Sequence, residues 1–216
     1  MDKHNVNKIK QALSVLVGQP LRLLDRVGSM LIVDFGELVE HEHPYCDSDG
    51  KFVRDEDGKL ILKKSIKGIY GLNVMCSFRL VCGSELLLTN NDITIPSSKL
   101  EAEPDFNWGD FDWDAFEWSV RGNNRFDEMV AKYVGAEPFE FVVKKIAVGE
   151  FGDVTISFEN GFDLELFVNC SGRDENWRFY REGDAASLVV LGDGIENEPE
   201  LSLSHLHTTT KQDTMT

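Results

Sequence analysis

The chain reads as an α+β fold built mainly of antiparallel β-structure, and three features say so. Apolar residues alternate with polar ones over short stretches, as in strands with one buried face. Asp49-Gly50, Asp57-Gly58 and Asn160-Gly161 separate such stretches with hairpin chemistry, because Gly accepts the positive φ of a tight turn. The apolar motifs of the first half also recur in order in the second, which predicts two similar β-units from an internal duplication. A short N-terminal helix and a short helix near residues 124–134 complete the reading.

Residues 5–17 place Ile9, Leu13, Leu16 and Val17 at helical spacing, and Gly18-Gln19-Pro20 stops them. From Leu21 the period becomes two: Leu21 and Leu23, then Leu31, Val33 and Phe35, with a turn at Val27-Gly28-Ser29 between. Residues 44–59 predict hairpins, with short strands at Phe52–Arg54 and Lys59–Leu62. Strands follow at Leu72–Leu80 and Glu85–Leu88. Asn123-Asn124 caps a helix whose Phe126, Met129, Val130 and Tyr133 share one face, and Gly135 ends it. The second half predicts strands at Phe139–Val148, Val154–Phe158, Leu164–Val168, Trp177–Tyr180 and Ser187–Leu191.

Leu31-x-Val33-x-Phe35 matches Val154-x-Ile156-x-Phe158, and Leu72-x-Val74 matches Leu164-x-Leu166. Phe78-Arg79-Leu80 matches Trp177-Arg178-Phe179, and each copy closes on an apolar strand followed by Asp92 or Asp193. The first copy carries 44–69 as an insertion. The expected organisation is one compact domain over 1–195, with units at about 18–100 and 136–195 joined by a connector at 101–135. Residues 196–216 lose apolar periodicity and read as a disordered tail.

The run Leu72-Asn73-Val74-Met75-Cys76-Ser77-Phe78-Arg79 resembles a pattern in uncharacterised bacterial proteins, where a strand ends in Cys-Pro-Trp-Arg. Glu175-Asn176-Trp177-Arg178-Phe179 resembles a second motif of that group. Ser77-Phe78 replaces Pro-Trp here. The resemblance implies an architecture and no chemistry. In size and acidity the chain is also similar to bacterial toxin-immunity proteins.

A chain of 216 residues can bury roughly 70% of its unfolded surface, so it needs no disulfide or metal to fold. Its net charge of -16 argues against binding nucleic acid through phosphates and suits a basic protein partner. No apolar run is long enough to span a bilayer, and the N-terminus lacks a secretory pattern, so the expectation is a cytoplasmic protein without membrane contact. Cys46, Cys76, Cys82 and Cys170 include no C-x-x-C pair and read as reduced thiols, with Cys76 and Cys170 at apolar strand ends.

The most distinctive stretch runs from Phe106 to Trp118 and writes Phe-x-Trp-x-x three times. From Glu101 to Glu117 it holds seven acids and no base. Exposed rings beside carboxylates attract Lys and Arg. That makes Trp108, Asp110, Asp112, Trp113, Asp114 and Trp118 the candidate partner-binding residues. A row of exposed rings is also an aggregation hazard, so most of them are expected to dock the connector onto the sheets.

Other constellations carry less. His41-x-His43, near Glu40, Glu42 and Cys46, has metal-ligand chemistry but no full ligand set, and His205-x-His207 falls in the tail. Arg79 and Arg178 occupy matching positions; each could hold a substrate anion with its planar fork, or pair with Asp92 and Asp193. No nucleophile–base pair or phosphate loop stands out. The expectation is a non-enzymatic protein-binding protein, immunity-like toward a basic partner, with no cofactor and no metal. The alternative is an enzyme or small-ligand binder with a cleft between the β-units at Arg79 and Arg178.

Overall fold

The computed structural model describes residues 1–47, 51–135 and 140–199. Asp2 starts helix α1 (Lys3–Leu13) by accepting the Asn5 N–H at 2.7 Å. Ile9 and Leu13 are its buried residues; a 3₁₀ turn at Ser14–Leu16 follows. Gly18, at φ 82, then leads into the strands.

Eleven strands follow among the described residues: β1 (Leu21–Val27), β2 (Met30–Pro44), β3 (Leu62–Val74), β4 (Ser77–Cys82), β5 (Glu85–Thr89), β6 (Val143–Val148), β7 (Val154–Phe158), β8 (Phe162–Phe167), β9 (Glu175–Arg181), β10 (Ala186–Leu191) and β11 (Ile195–Pro199). Helices α2 (Ser98–Glu101) and α3 (Arg125–Tyr133) lie between β5 and β6. The strands form two antiparallel sheets, in the orders β1-β2-β3-β9-β10-β11 and β5-β4-β8-β7-β6.

Strands from the first and second halves of the chain share both sheets. Each half makes a three-stranded meander, β1-β2-β3 or β6-β7-β8, and sends its following strands, β4-β5 or β9-β10-β11, to the sheet of the other half. The strand orders of the halves correspond except for β11, which has no counterpart beyond β5. Val74 faces Trp177 and Leu72 faces Phe179, while Leu166 faces Phe78 and Leu164 faces Leu80. Within the meanders, Val33 faces Leu72 and Ile156 faces Leu164. The register slips between Leu21 and Leu23 in one half and between Val143 and Lys145 in the other. Pro20 and Val142, just before these two strands, bridge each other.

A slip of one residue would turn a strand's apolar set outward. These registers instead send Leu31, Val33, Phe35, Leu72, Val74, Phe78 and Leu80 into the same core as Val154, Ile156, Phe158, Leu164, Leu166, Trp177 and Phe179. Trp177 is completely buried, and its indole N–H donates to the Gly152 carbonyl at 3.0 Å, so the ring carries no unpaired donor.

Three strand expectations change. Residues 72–80 do not form one strand. The Met75 and Cys76 N–H groups both donate to the Asn176 carbonyl, at 2.9 and 3.0 Å, and the chain passes there from one sheet to the other. The 44–69 segment is not a separate hairpin of short strands. β2 and β3 run past their flanking strands as a two-stranded arm, from Leu38 opposite Gly68 to Pro44 opposite Leu62. Isolated bridges Cys46–Phe52 and Arg54–Leu60 continue the arm, with a turn at Gly58 (φ 78); the Asp49-Gly50 turn lies outside the described residues. Finally, residues 196–199 belong to β11 rather than to a tail, because Val189 and Val190 of β10 pair with Glu196 and Ile195. The rest of that segment lies outside the described residues, as does the start of the strand expected at Phe139.

Candidate functional site

The segment after β5 leaves the sheets and returns to its starting point. The Ser97 N–H donates to the Asn123 carbonyl at 2.8 Å, Pro96 bridges Asn124, and the Arg125 N–H donates to the Ile95 carbonyl at 2.8 Å. Residues 98–122 are therefore an excursion with joined ends, in the manner of an Ω-loop. The five-residue period becomes a chain of turns. Asn107 Oδ1 accepts the Gly109 N–H at 2.9 Å, and Asp112 Oδ1 accepts the N–H groups of Asp114 and Ala115 at 3.0 and 3.1 Å.

The first two turns leave the Phe less exposed than the Trp. Phe106, Phe111 and Phe116 are half-buried, whereas Trp108 and Trp113 are 47% and 51% exposed. Phe111 is central, with ring centroids 5.6 Å from Phe106, 5.7 Å from Trp108, 4.8 Å from Trp113 and 5.5 Å from Phe116. Trp108 and Trp113 stack at 5.7 Å with 24° between their planes. The expectation that most rings dock on the sheets is thus corrected: five of them pack on one another, and Trp118 packs against the core. Local clustering shelters the rings against one another.

The lobe is anchored at its exit by Arg26 of β1, only 6% exposed. Its guanidinium grips both Asp127 oxygens at 2.8 and 2.9 Å and donates to the Trp118 carbonyl at 3.2 Å. Asp127 also accepts the Gly122 N–H at 2.7 Å. Burial pushes the Asp127 carboxyl up, but the Arg26 bonds, the Gly122 N–H and the Arg26 and Arg121 charges outweigh it, so the net shift is down. Arg121 turns away from the rings to grip Asp25 at 2.5 and 2.9 Å. Among the described residues, none of the seven acids from Glu101 to Glu117 makes an ion pair. Asp110, Asp112 and Asp114 are exposed beside the two outer indoles.

Arg79 and Arg178 are not brought together. Arg79 lies on β4 between buried Phe78 and Leu80, and Arg178 lies on β9 between buried Trp177 and Phe179. Each points out of a different sheet, because neighbouring strand residues alternate faces. Arg79 pairs with Glu165 rather than Asp92, and Arg178 grips Glu175, with Nε at 2.6 Å. Two cavities flank α1. One of about 440 Å³ is lined by Met1, Lys3, Lys10 and Glu150, and one of about 360 Å³ by Ala12, Tyr70, Phe179 and Leu188. Neither arginine lines them.

Sequence reading passed over a polar cluster at the root of the β2–β3 arm. Asp34 of β2 is 2% exposed, and its Oδ1 has no hydrogen-bond partner. Glu182 lies 2.6 Å from His41 Nδ1 and 2.6 Å from Lys67 Nζ, so His41 sits on a strand and is tied to β9's end rather than lying in a loop. His41 and His43 stack at 5.7 Å. Burial holds the Asp34 carboxyl above its ordinary value, against the opposing pull of Lys67, the Gly68 N–H and the Tyr180 hydroxyl. An Asp inside a strand was the available signal, since strands are depleted of it.

A carboxyl raised on folding favours the folded state fully only below its ordinary value, 3.8, and this contribution is lost as pH rises through the folded value. Asp34→Asn is therefore expected to stabilise the protein at neutral pH, with the gain fading as pH falls through the raised folded value and gone below 3.8. Thermal unfolding of both proteins across pH checks this; a variant less stable at pH 7 would contradict it.

All four cysteines are free: Cys46 and Cys170 are exposed, Cys82 is half-buried and Cys76 is buried. Cys170 follows the end of β8 but is exposed, which corrects the expectation that it behaves as a small hydrophobe there. Burial pushes the Cys76 thiol up to about 12, which removes the reactive thiolate. Thiol labelling of the folded protein is expected to modify Cys46 and Cys170 first, and Cys76 only after unfolding. Fast modification of Cys76 in the folded protein would contradict its burial.

Among the described residues, no group of three or more His, Cys, Asp or Glu side chains could hold a metal ion, and no helix is long and apolar enough to cross a membrane.

Comparison with protein-family models, curated proteins and solved structures returns no match.

Proposed function

We propose that this is a non-enzymatic binding protein that engages a basic protein partner through the lobe at 98–122, in the manner of an immunity protein. The observation that carries the reading is the pair of half-exposed, stacked indoles of Trp108 and Trp113, with Asp110, Asp112 and Asp114 within two residues of them, whose charges meet no base among the described residues. Large rings that are held in place anchor interfaces at low entropic cost. Unopposed acids steer a basic partner over about a Debye length, ~8 Å at physiological salt. Trp118, packed on the core, supports the lobe rather than the contact.

The same proposal covers the frame. A duplicated β-unit accounts for the corresponding strand orders and registers of the two halves. The arm and the lobe are then what this chain adds to the shared frame. The free thiols suit a reducing compartment such as the cytoplasm.

The test is affinity capture from the native cell with wild type and with Asp110→Asn/Asp112→Asn/Asp114→Asn. The expected result is a basic protein held by wild type and depleted on the triple variant. Equal recovery of every captured protein on both baits would refute the lobe as the binding surface.

A further inference from the structure

We infer that the lobe is an arginine-binding shelf, so that its partner presents arginine rather than lysine. The inference rests on the reading of the lobe as a site for basic proteins and specifies what the site takes.

The indoles are fixed before anything binds. Trp108 and Trp113 stack on each other, and both are backed by Phe111, at 5.7 and 4.8 Å. Their half-exposed state leaves ring surface for a ligand. Among the described residues no cation lies over either ring; the cations that do cover rings in this chain sit on Tyr45, Tyr180, Phe167 and Tyr133. The arginines next along the chain are committed elsewhere: Arg121 to Asp25, Arg125 to Asp92, and Arg26 to Asp127. Among the described residues the rings carry no cation, so their faces are open to one from another molecule.

The rim supplies acceptors. Asp110 Oδ2 is used by the Asn107 amide at 2.8 Å, and Asp112 Oδ1 by two backbone N–H groups. Asp110 Oδ1, Asp112 Oδ2 and both oxygens of Asp114 have no partner among the described residues. The turns therefore orient two of the carboxylates and leave acceptor positions open within two residues of the rings.

A flat aromatic face with carboxylates at its edge discriminates between the two basic side chains. A guanidinium is planar and weakly hydrated; it stacks on an indole while its in-plane N–H groups reach rim carboxylates. An ammonium is a compact, strongly hydrated point charge that satisfies one requirement at the expense of the other.

Nona-arginine and nona-lysine, matched in length and charge, are titrated into the full chain at physiological salt, with tryptophan fluorescence and calorimetry as readouts. The expected result is binding of nona-arginine about ten-fold tighter than nona-lysine, the size of a few stacked cation contacts. Trp108→Ala/Trp113→Ala should bring the arginine peptide down to the lysine level and leave the lysine peptide nearly unchanged. Trp108→Phe/Trp113→Phe, which keeps rings in the cluster, should retain part of the preference. Equal affinity of the two peptides for wild type, or a preference that survives in the Ala variant, overturns the shelf while the basic-partner reading stands. No binding of either peptide that depends on Asp110, Asp112 and Asp114 overturns both.

Discussion

Arg26→Met is expected to destabilise the fold by about 3–5 kcal/mol, the cost typical of removing one partner from a buried ion pair. The side chains of Arg26 and Asp127 are 4% and 7% exposed, so the stranded carboxylate cannot recover its lost partner from bulk water. The loss also removes the donor to the Trp118 carbonyl, so the lobe exit should exchange amide protons faster. Arg26→Met/Asp127→Leu should recover much of the stability, because an apolar pair of similar volume leaves no buried charge. Chemical denaturation of the three proteins measures the series. A single variant within about 1 kcal/mol of wild type would deny the pair this role. The pair also sets an acid limit. Asp127 is held below its ordinary value of 3.8, so its contribution is complete above that pH and is lost as pH falls through the lower folded value.

Neutralising Asp110, Asp112 and Asp114 with Asn is expected to slow association with a basic partner by about ten-fold at low salt, since outer charges act mainly on encounter. The salt dependence of the rate should flatten in the same variant. Stability should change little, because all three side chains are exposed and none makes an ion pair. Association rates at two salt concentrations decide it. The same rate and the same salt slope for both proteins would remove the lobe from the encounter surface.

The strands were legible in the sequence where one face is buried. Val154–Phe158 alternates buried and half-buried residues, and the period-two pattern marks that strand without any tertiary information. The cap at Asn124 was legible for a similar reason: its side chain accepts the Asp127 N–H at 2.9 Å, a contact three residues away. The break at Met75–Cys76 was not legible. What ends the strand there is the Asn176 carbonyl, about a hundred residues away, and no local pattern reports a distant acceptor.

The candidate site divides along the same line. The composition of the lobe, three Phe-x-Trp pentads among acids, is local and was visible at once. Whether the rings would lie on the sheets or on each other was not, because both arrangements shelter the same residues. Arg26 illustrates the point further: nothing near it in sequence reveals that Asp127 and Trp118 would meet it.

The sequence by itself determined the antiparallel class, the faces of the core strands, the α3 cap, the acidity and the matching order of motifs in the two halves. Those properties depend on contacts within a few residues or on totals over the chain. Only the tertiary structure decided that each half sends its last strands to the other's sheet, that Arg79 and Arg178 leave different sheets, and that the Phe-x-Trp segment closes into a self-packed lobe. Each of these turns on which distant groups satisfy one another's hydrogen bonds and buried area, and a one-dimensional pattern holds no record of that choice.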